Sequence, residues 1–218
     1  VINGIDDDDR SGYRVSGAGD INGDGIADVV IGAYQAGIIT NTGESYVVFG
    51  SNGSRAASLN LSELDGTDGF IIFSLEAGGR IGVSVSAAGD INGDGIDDVI
   101  IGAAYADTDG NSSAGESYVL FGSTAVWAAS FNLNTLDGAN GFTIKGIDEY
   151  DYSGVSLSAA GDINGDGVDD VLIGANGADP DGKSNAGASY VLFGSTAPWA
   201  ASFNLSELDG SNGFVMFG

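Results

Sequence analysis

Short apolar segments recur along the chain and predict strands rather than helices. The runs YRVSGAGD from Tyr13, DVVIGA from Asp28, SYVVFG from Ser45 and GFIIFSL from Gly69 are rich in Val, Ile, Tyr and Phe. Gly, Asn, Asp and Ser, the residues typical of tight turns, bound each run. No window shows a long 3.6-residue period between caps, and NLSELDG from Asn60 has room for one helical turn at most. The pattern therefore predicts an all-β fold.

The same strand pattern occurs three times. The strings GDINGDGIADVVIGA, GDINGDGIDDVIIGA and GDINGDGVDDVLIGA begin at Gly19, Gly89 and Gly161, and the SYV(V/L)FGS strings follow one another at intervals of 72 residues. Repeats of four short strands at this period are typical of β-propeller blades. We predict a propeller segment of three four-stranded blades, with the repeats divided at residues 1–70, 71–142 and 143–218.

Three blades are fewer than the four to eight of a closed propeller. The first residues of the chain, Val1 and Ile2, align with Thr143 and Ile144 in the outer strand of a later repeat, so the chain opens and closes in the same strand. Two interpretations stay open. The chain is a fragment of a larger propeller, or two chains associate head to tail into a six-bladed ring.

Composition excludes several classes of chemistry. The chain has 31 Asp and Glu against 6 Lys and Arg, a formal net charge of −25, and no His or Cys. Nucleophile pairs that need His and zinc sites built from His or Cys are therefore excluded. An acidic surface repels phosphate backbones and anionic lipids, and no apolar run approaches 18 residues, so we expect neither nucleic-acid binding nor membrane insertion. No unmatched acid pair or Lys-bearing phosphate loop is present, so we expect no enzymatic activity.

The strongest chemical signal is the motif D-x-N-x-D-G-x-x-D, which occurs once in each repeat. Oxygen-bearing side chains at positions 1, 3 and 5 converge when the backbone wraps around a point, glycine at position 6 permits the turn, and position 7 offers a carbonyl. All-oxygen ligands favour Ca²⁺ over transition metals. The predicted ligands of three calcium sites are Asp20, Asn22, Asp24, Ile26 and Asp28; Asp90, Asn92, Asp94, Ile96 and Asp98; and Asp162, Asn164, Asp166, Val168 and Asp170.

The motif differs from an EF-hand at its end. Position 12 is Ile31, Ile101 or Ile173, where an EF-hand has a bidentate Glu, and each of these isoleucines lies in an apolar run. The acid at position 9 closes the motif instead. We therefore predict a loop between two strands, and a calcium sensor that opens a helix pair is excluded.

These motifs together resemble the FG-GAP repeats of integrin α-subunit β-propellers and of their bacterial extracellular relatives. The resemblance spans essentially the whole chain and rests on the calcium loops and on the following FG and GA pairs: Phe49-Gly50, Phe121-Gly122, Phe193-Gly194, Gly32-Ala33, Gly102-Ala103 and Gly174-Ala175. The chain departs from the literal motif because Tyr34, Ala104 and Asn176 stand where the Pro of GAP is expected. The resemblance implies a propeller in which each calcium loop joins the inner two strands of a blade. It also implies structural calcium sites, with ligands binding on the opposite face.

The functional expectation is a calcium-stabilised interaction or adhesion propeller, extracellular or on the cell surface, that presents loops to a protein or glycan ligand. Two alternatives stay open. One is a purely structural, self-associating repeat of a large cell-surface or filament protein. The other is a non-catalytic propeller attached to a polysaccharide-degrading enzyme.

Two tryptophans invite a second functional interpretation. Trp127 and Trp199 recur 72 residues apart, with Arg55 near the equivalent place in the first repeat. Exposed tryptophans stack on sugar rings, whereas buried ones would cover the edge of their own blade. Tyrosines that alternate within the strands are predicted to be packing residues; these are Tyr46, Tyr118 and Tyr190.

Acidic loops outside the motif also have two interpretations. Asp6 to Asp9 and the corresponding Asp148, Glu149 and Asp151 lie between the outer strand of one repeat and the inner strand of the next. They form either a further cation site or a solvated loop between blades. The same alternatives apply to a second acidic loop found in two repeats; its residues are Asp107, Asp109, Asp179 and Asp181.

Overall fold

Sixteen strands make up most of the regular structure in residues 1–37 and 41–218, the part of the chain that this computed structural model describes. The strands are β1 Ile2–Asn3, β2 Arg14–Gly19, β3 Asp28–Ala33, β4 Glu44–Val48, β5 Leu59–Asn60, β6 Gly69–Phe73, β7 Ser84–Gly89, β8 Asp98–Ala103, β9 Glu116–Leu120, β10 Ser130–Asn132, β11 Gly141–Lys145, β12 Ser156–Gly161, β13 Asp170–Ala175, β14 Ala188–Leu192, β15 Ser202–Asn204 and β16 Gly213–Phe217. Four single 3-10 turns occur at Leu61–Glu63, Leu133–Thr135, Pro180–Gly182 and Leu205–Glu207. The all-β prediction, with one helical turn at most after Asn60, is confirmed.

Each repeat folds into one antiparallel sheet of four strands. The order is β2-β3-β4-β6 in the first blade, β7-β8-β9-β11 in the second and β12-β13-β14-β16 in the third. Strands that follow one another in sequence therefore pair in space, as in a meander of hairpins. This confirms the predicted four-stranded propeller blades, while the division at residues 70 and 142 stays a prediction.

A fifth, parallel strand covers the outer edge of each of the first two blades, and the sequence did not predict it. Strand β10 of the second repeat pairs with β6, and β15 of the third repeat pairs with β11. The amide of Ile71 donates to the carbonyl of Ala129 at 3.0 Å, and the amide of Thr143 donates to that of Ala201 at 3.0 Å. At the start of the chain β5 pairs in the same parallel sense with β1. Each of these outer edges is thus covered by the repeat that follows it.

The inner strands lie side by side, with β7 between β2 and β12. Their sequences RVSGAG, SVSAAG and SLSAAG consist mainly of small residues, which lets neighbouring blades approach closely near the centre. A Cβ atom on Gly32 would lie 2.1 Å from the carbonyl oxygen of Gly82 in the next blade, so the glycine of the GA pair sits at an interblade contact. The three blades form an arc, and β2 and β12 are its first and last inner strands.

Two hydrophobic cores lie between the sheets, and a further core, which includes Ile31, Tyr46 and Leu61, consists of residues of the first repeat alone. One core joins the first and second blades and includes Phe70, Ile72 and Leu120; the other joins the second and third blades and includes Phe142, Ile144 and Leu192. All six side chains are fully buried. The described residues include no helix long and apolar enough to cross a membrane.

Candidate metal centres

Each D-x-N-x-D-G-x-x-D motif forms the connection between the first two strands of its blade. The loop that begins at Asp20 joins β2 to β3, and the equivalent loops join β7 to β8 and β12 to β13. Gly23 and Gly25 adopt positive φ angles of 71° and 86°, a conformation that favours glycine, and these angles produce the turn. The prediction of a strand-to-strand loop is confirmed.

Side-chain oxygens at positions 1, 3 and 5 hold the loop by accepting hydrogen bonds from its backbone. Asp20 accepts from the amides of Asp24 at 3.0 Å and Gly25 at 2.7 Å. Asn22 Oδ1 accepts from the amide of Asp24 at 2.9 Å, and Asp24 Oδ1 accepts from that of Ile26 at 2.8 Å. The second and third loops repeat these bonds. The motif is therefore an array of Asx turns that directs three oxygen-bearing side chains inward from one arc of backbone.

The aspartate at position 9 ties the loop to the Phe-Gly segment. Asp28 is 2% exposed, and its carboxylate accepts from the amides of Ile21 at 3.0 Å and Gly50 at 2.6 Å. A Cβ atom at Gly50 would lie 2.4 Å from the carbonyl oxygen of Ala27. Asp98 and Asp170 make the corresponding pairs of bonds in the other blades. The FG pair is thus the partner of the metal motif, a relationship that spacing alone did not reveal.

Burial makes two of the position-9 carboxylates, those of Asp28 and Asp98, costly to ionise. Burial, together with the nearby charges of Asp94 and Asp90, raises the pKa of Asp98 to about 8, while the hydrogen bond from Gly122 acts in the opposite direction. The pKa of Asp28 is raised in the same direction and chiefly by the same cause. A nearby cation would favour the ionised form of these groups.

The predicted ligands fall in one loop per blade, but they are not assembled as a coordination shell. Among residues 1–37 and 41–218, no three acidic side chains converge closely enough to hold a metal ion. The donor set itself fits a hard cation, since each loop carries three carboxylates and one amide oxygen. Each ionised carboxylate also has about four acceptor sites. Asp20 and Asp28 each accept two hydrogen bonds and Asp162 accepts three, so acceptor sites are left over.

Position 8 of the motif has a role that sequence reasoning missed. The carboxylate of Asp97 in the second repeat accepts from the amide of Asp20 in the first at 2.7 Å. Asp169 of the third repeat bonds the amide of Asp90 in the same way at 3.0 Å. The first repeat has Ala27 at this position, and that difference was the available signal. Adjacent candidate metal loops are therefore linked through a carboxylate.

The tryptophans pack across blades, so the interpretation that each covers the edge of its own blade is wrong. Trp127 stacks on Phe70 of the preceding blade, and Trp199 stacks on Phe142 of the blade before it. Trp127 packs against the core between the blades, and its indole N–H donates to the carbonyl of Ser123 at 3.2 Å. Each tryptophan is thus partly buried against the preceding blade, and stacking on sugar rings stays a hypothesis. In the first repeat, where Arg55 replaces Trp, the guanidinium bonds the carbonyl of Phe49.

The cleft beside Arg55 is larger than those beside the tryptophans. It has a volume of about 920 Å³ and is lined by Val1, Phe49 and Leu59 among others. The equivalent clefts next to Trp127 and Trp199 measure about 420 and 320 Å³. The indole rings therefore fill space that stays open in the first repeat.

The acidic loops at the opposite end of the blades bond mainly to themselves. Asp9 accepts from the amide of Asp6 at 2.9 Å, and Asp151 accepts from that of Asp148 at 3.3 Å. In the second acidic loop, Asp107 and Asp179 accept from the amides of Ser113 and Asn185, and Asp109 pairs with Lys145 at 2.7 Å. No described group of these acids converges on a metal position. The three strand tyrosines Tyr46, Tyr118 and Tyr190 are buried, which confirms their packing role.

Comparison with known proteins matches the repeats found here. A family model described as FG-GAP repeat matches residues 11–48, 82–120 and 153–192, together more than half of the chain. Integrin alpha pat-2 of Caenorhabditis elegans is 31% identical over 191 residues, 87% of this chain and 14% of that protein. Integrin alpha-5 of Xenopus laevis is 29% identical over 174 residues, 77% of this chain and 15% of that protein.

A relative named as an enzyme also shares the repeats. Phosphatidylinositol-glycan-specific phospholipase D of Bos taurus is 31% identical over 189 residues, 86% of this chain and 21% of that protein. The chain thus spans between 14% and 21% of the length of these three relatives.

Proposed function

The chain belongs to the FG-GAP repeat family, and on this premise we propose that it is a calcium-stabilised extracellular interaction propeller that presents loops to a protein or glycan partner. Similarity to integrin alpha subunits supports a propeller of the adhesion type. The observation that carries the calcium proposal is the threefold occurrence of one loop in which three carboxylates and an amide are folded onto one short arc of backbone.

Calcium would be held by the side chains at positions 1, 3, 5 and 9 and the carbonyl at position 7. In the second repeat these residues are Asp90, Asn92, Asp94, Ile96 and Asp98, and the first and third repeats offer the same set. The ion would supply positive charge where three carboxylates repel one another and where burial disfavours the ionised form of Asp98. The variable coordination that such a loop permits suits Ca²⁺ better than Mg²⁺.

The expected effect is stabilisation of the folded blades. A ligand that binds only the native state at a hundredfold excess over its Kd stabilises it by about 2.7 kcal/mol per site. Extracellular calcium modules bind with a Kd of about 10⁻⁴–10⁻³ M, so millimolar calcium would be needed. The extracellular or cell-surface location that we propose is supported by the similarity to integrin alpha subunits.

Thermal unfolding in chelator and in millimolar calcium chloride tests the calcium proposal. We expect calcium to raise the Tm, and Asp90→Asn combined with Asp94→Asn to reduce that rise. Asp7→Asn combined with Asp8→Asn, which removes the same charge from an exposed loop outside the motif, should keep the full rise. A Tm indifferent to both calcium and chelator would contradict the proposal.

The partner is proposed to bind the loops opposite the metal motifs. Those loops carry much of the acidity outside the motifs, including Asp6 to Asp9 and Asp148 to Asp151. An array of glycans and extracellular-matrix proteins, probed with the labelled chain in calcium, tests this surface. Binding should weaken in the Asp148→Asn, Glu149→Gln variant and persist in an exposed control on the metal-loop side that removes the same charge, Asp65→Asn combined with Asp137→Asn. Equal loss in both variants would contradict the assignment.

A non-catalytic module of a larger enzyme is the second candidate. The similarity of this chain to phosphatidylinositol-glycan-specific phospholipase D over 86% of its length favours it. In either setting we propose that the chain itself is not an enzyme, because its repeated acids hold backbone amides in the loops. The isolated chain should release no product from glycosylphosphatidylinositol or polysaccharide substrates, and turnover would contradict this.

A further inference from the structure

The two faces of each blade have different roles. We call the face toward the following repeat the acceptor face and the face toward the preceding repeat the donor face. In the first two blades the acceptor face is completely covered. Ile21 and Phe70 of the first blade and Ile91 and Phe142 of the second are all 0% exposed.

On the third blade the equivalent side chains are open to solvent. Ile163 is 50% exposed, Phe214 is 39% exposed and Met216 is 46% exposed. Added Cβ atoms on Gly161 and Gly165 would meet nothing within 4 Å. On their counterparts Gly19 and Gly23 such atoms would lie 2.3 Å from Asp97 and 2.7 Å from Thr124 of the next repeat. The third acceptor face is therefore an apolar surface without the cover that the other two have.

Polar groups on this face also lack the partners seen elsewhere. The carbonyls of Ile21 and Ile91 accept from the amides of Ser123 and Ser195, each at 2.9 Å. Within the described residues, no such donor reaches the carbonyl of Ile163. Strand β16 likewise has no parallel neighbour there, while β6 and β11 each have one.

The internal interfaces show what covers an acceptor face. Four donor-face side chains recur in the second and third repeats: a carboxylate on the metal loop, a threonine over the loop glycine, a tryptophan on the phenylalanine ring, and a phenylalanine in the parallel strand. In the third repeat these residues are Asp169, Thr196, Trp199 and Phe203.

The first repeat of a second copy does not match this requirement. Its donor face has Ala27, Asn52, Arg55 and Leu59 at the four positions. Its strand β5 is already paired with β1 of the same chain, where the amide of Leu59 donates to the carbonyl of Val1 at 2.8 Å. Head-to-tail association through this face would lack the carboxylate bond and the ring stack, and it would have to displace β1.

We propose that the acceptor face of the third blade docks a further repeat of the Asp-Thr-Trp-Phe type, through parallel strand addition to β16 and stacking of its tryptophan on Phe214. Backbone pairing along an exposed sheet edge supplies affinity, and side-chain positions supply selectivity. The inference stands on packing at the interfaces and is independent of calcium binding.

A synthetic peptide with the sequence of residues 195–205, STAPWAASFNL, is the first probe. A fluorescently labelled form should bind the full chain saturably, with chemical-shift changes at the amides of Gly165 and Val215, the counterparts of the positions that Thr196 and Ala201 cover at the internal interface. Replacing its tryptophan by alanine should weaken binding about tenfold or more, since a stacked aromatic anchor contributes strongly at an interface. Binding that is indifferent to the tryptophan would overturn the proposal.

A chain extended by a second copy of residues 147–218 keeps the proposal testable if the short peptide is too flexible to bind. Hydrogen exchange at Val215 should slow tenfold or more in the extended chain. The matched control carries Asp169→Ala, Thr196→Asn, Trp199→Arg and Phe203→Leu in the appended copy, which reproduces the first repeat's donor face, and should show little slowing. Equal protection in both chains, or a dimer of the unextended chain that protects Val215, would overturn it.

Discussion

Trp127 lies face to face on Phe70, with ring centroids 4.3 Å apart and ring planes 5° from parallel. The two residues belong to different repeats, so this stack joins one blade to the next. Trp199 and Phe142 repeat the arrangement at 4.1 Å and 6°. Each tryptophan approaches beside the short parallel strand of its own repeat, which pairs with the outer edge of the preceding blade. The outer parts of the blades are therefore held by side-chain stacking and backbone pairing together.

Removal of one tryptophan should loosen one interface. We expect Trp127→Ala to lower the free energy of unfolding by about 2–4 kcal/mol, toward the lower part of the range for large aromatic truncations because the ring is only partly buried. Denaturant titration followed by circular dichroism measures the change. The neighbouring Val126→Ala, at a side chain 95% exposed, should stay within about 0.5 kcal/mol of the parent. Equal effects of the two substitutions would contradict the assigned role.

The link between metal loops should depend on the position-8 carboxylate. Asp97→Ala removes the acceptor for the amide of Asp20, and we expect a loss of about 1–2 kcal/mol and faster hydrogen exchange at that amide. Ala27→Asp in the first repeat introduces the same group where no described partner amide faces it. That variant should leave the free energy of unfolding nearly unchanged. Changes of similar size in Asp97→Ala and Ala27→Asp would contradict a specific bond between the blades.

The glycine of the GA pair should tolerate substitution only where no following blade approaches. A Cβ atom on Gly102 would lie 2.2 Å from the carbonyl oxygen of Gly154 in the next repeat. At Gly174 the nearest atoms belong to Ser156 of the same blade, with the hydroxyl at 2.4 Å. We expect Gly102→Ala to cost about 1–3 kcal/mol or more, and Gly174→Ala to cost less because a hydroxyl can rotate. Thermal unfolding of the two variants compares them, and the reverse order would contradict the interblade explanation.

Stability should depend on pH through a buried glutamate at the end of the blade that lies away from the candidate metal loops. Glu116 is 7% exposed, and burial raises its pKa, with the charge of Glu76 acting in the same direction. Hydrogen bonds from Tyr118 at 2.7 Å and Thr108 at 3.3 Å oppose the shift. Because the folded state holds the proton more tightly than the unfolded chain, the associated stability is fully present below about pH 4.5 and is lost as the pH rises through the folded pKa.

Glu116→Gln removes this titrating group while keeping an acceptor for Tyr118. We expect its stability relative to the parent to increase as the pH rises above about 4.5. Urea unfolding at a series of pH values measures the difference. Glu63→Gln controls for the loss of one carboxylate charge at the surface. Parallel stability curves for parent and Glu116→Gln would contradict the prediction.

The candidate metal loops were largely predictable because their chemistry is local. Asp20, Asn22 and Asp24 act on backbone only a few residues away, so their spacing alone predicts a turn lined with oxygen atoms. The partner of Asp28 was not predictable in the same way. Gly50 lies 22 residues further on, and only the pairing of β3 with β4 brings its amide to the carboxylate. Calcium at these loops stays a prediction.

The sequence by itself determined the repeat, the four strands of each blade and the position of the candidate metal loops, because apolar periodicity and turn residues act over short distances. Only the tertiary structure decided what joins the blades. Trp127 could have faced solvent or its own sheet, and its contact with Phe70 exists because β10 crosses to the edge of the preceding blade. The carboxylate at position 8 likewise bonds across the interface between two repeats, as Asp97 does with the amide of Asp20. Contacts between repeats depend on how the sheets pack, and that packing also leaves Phe214 uncovered on the third blade.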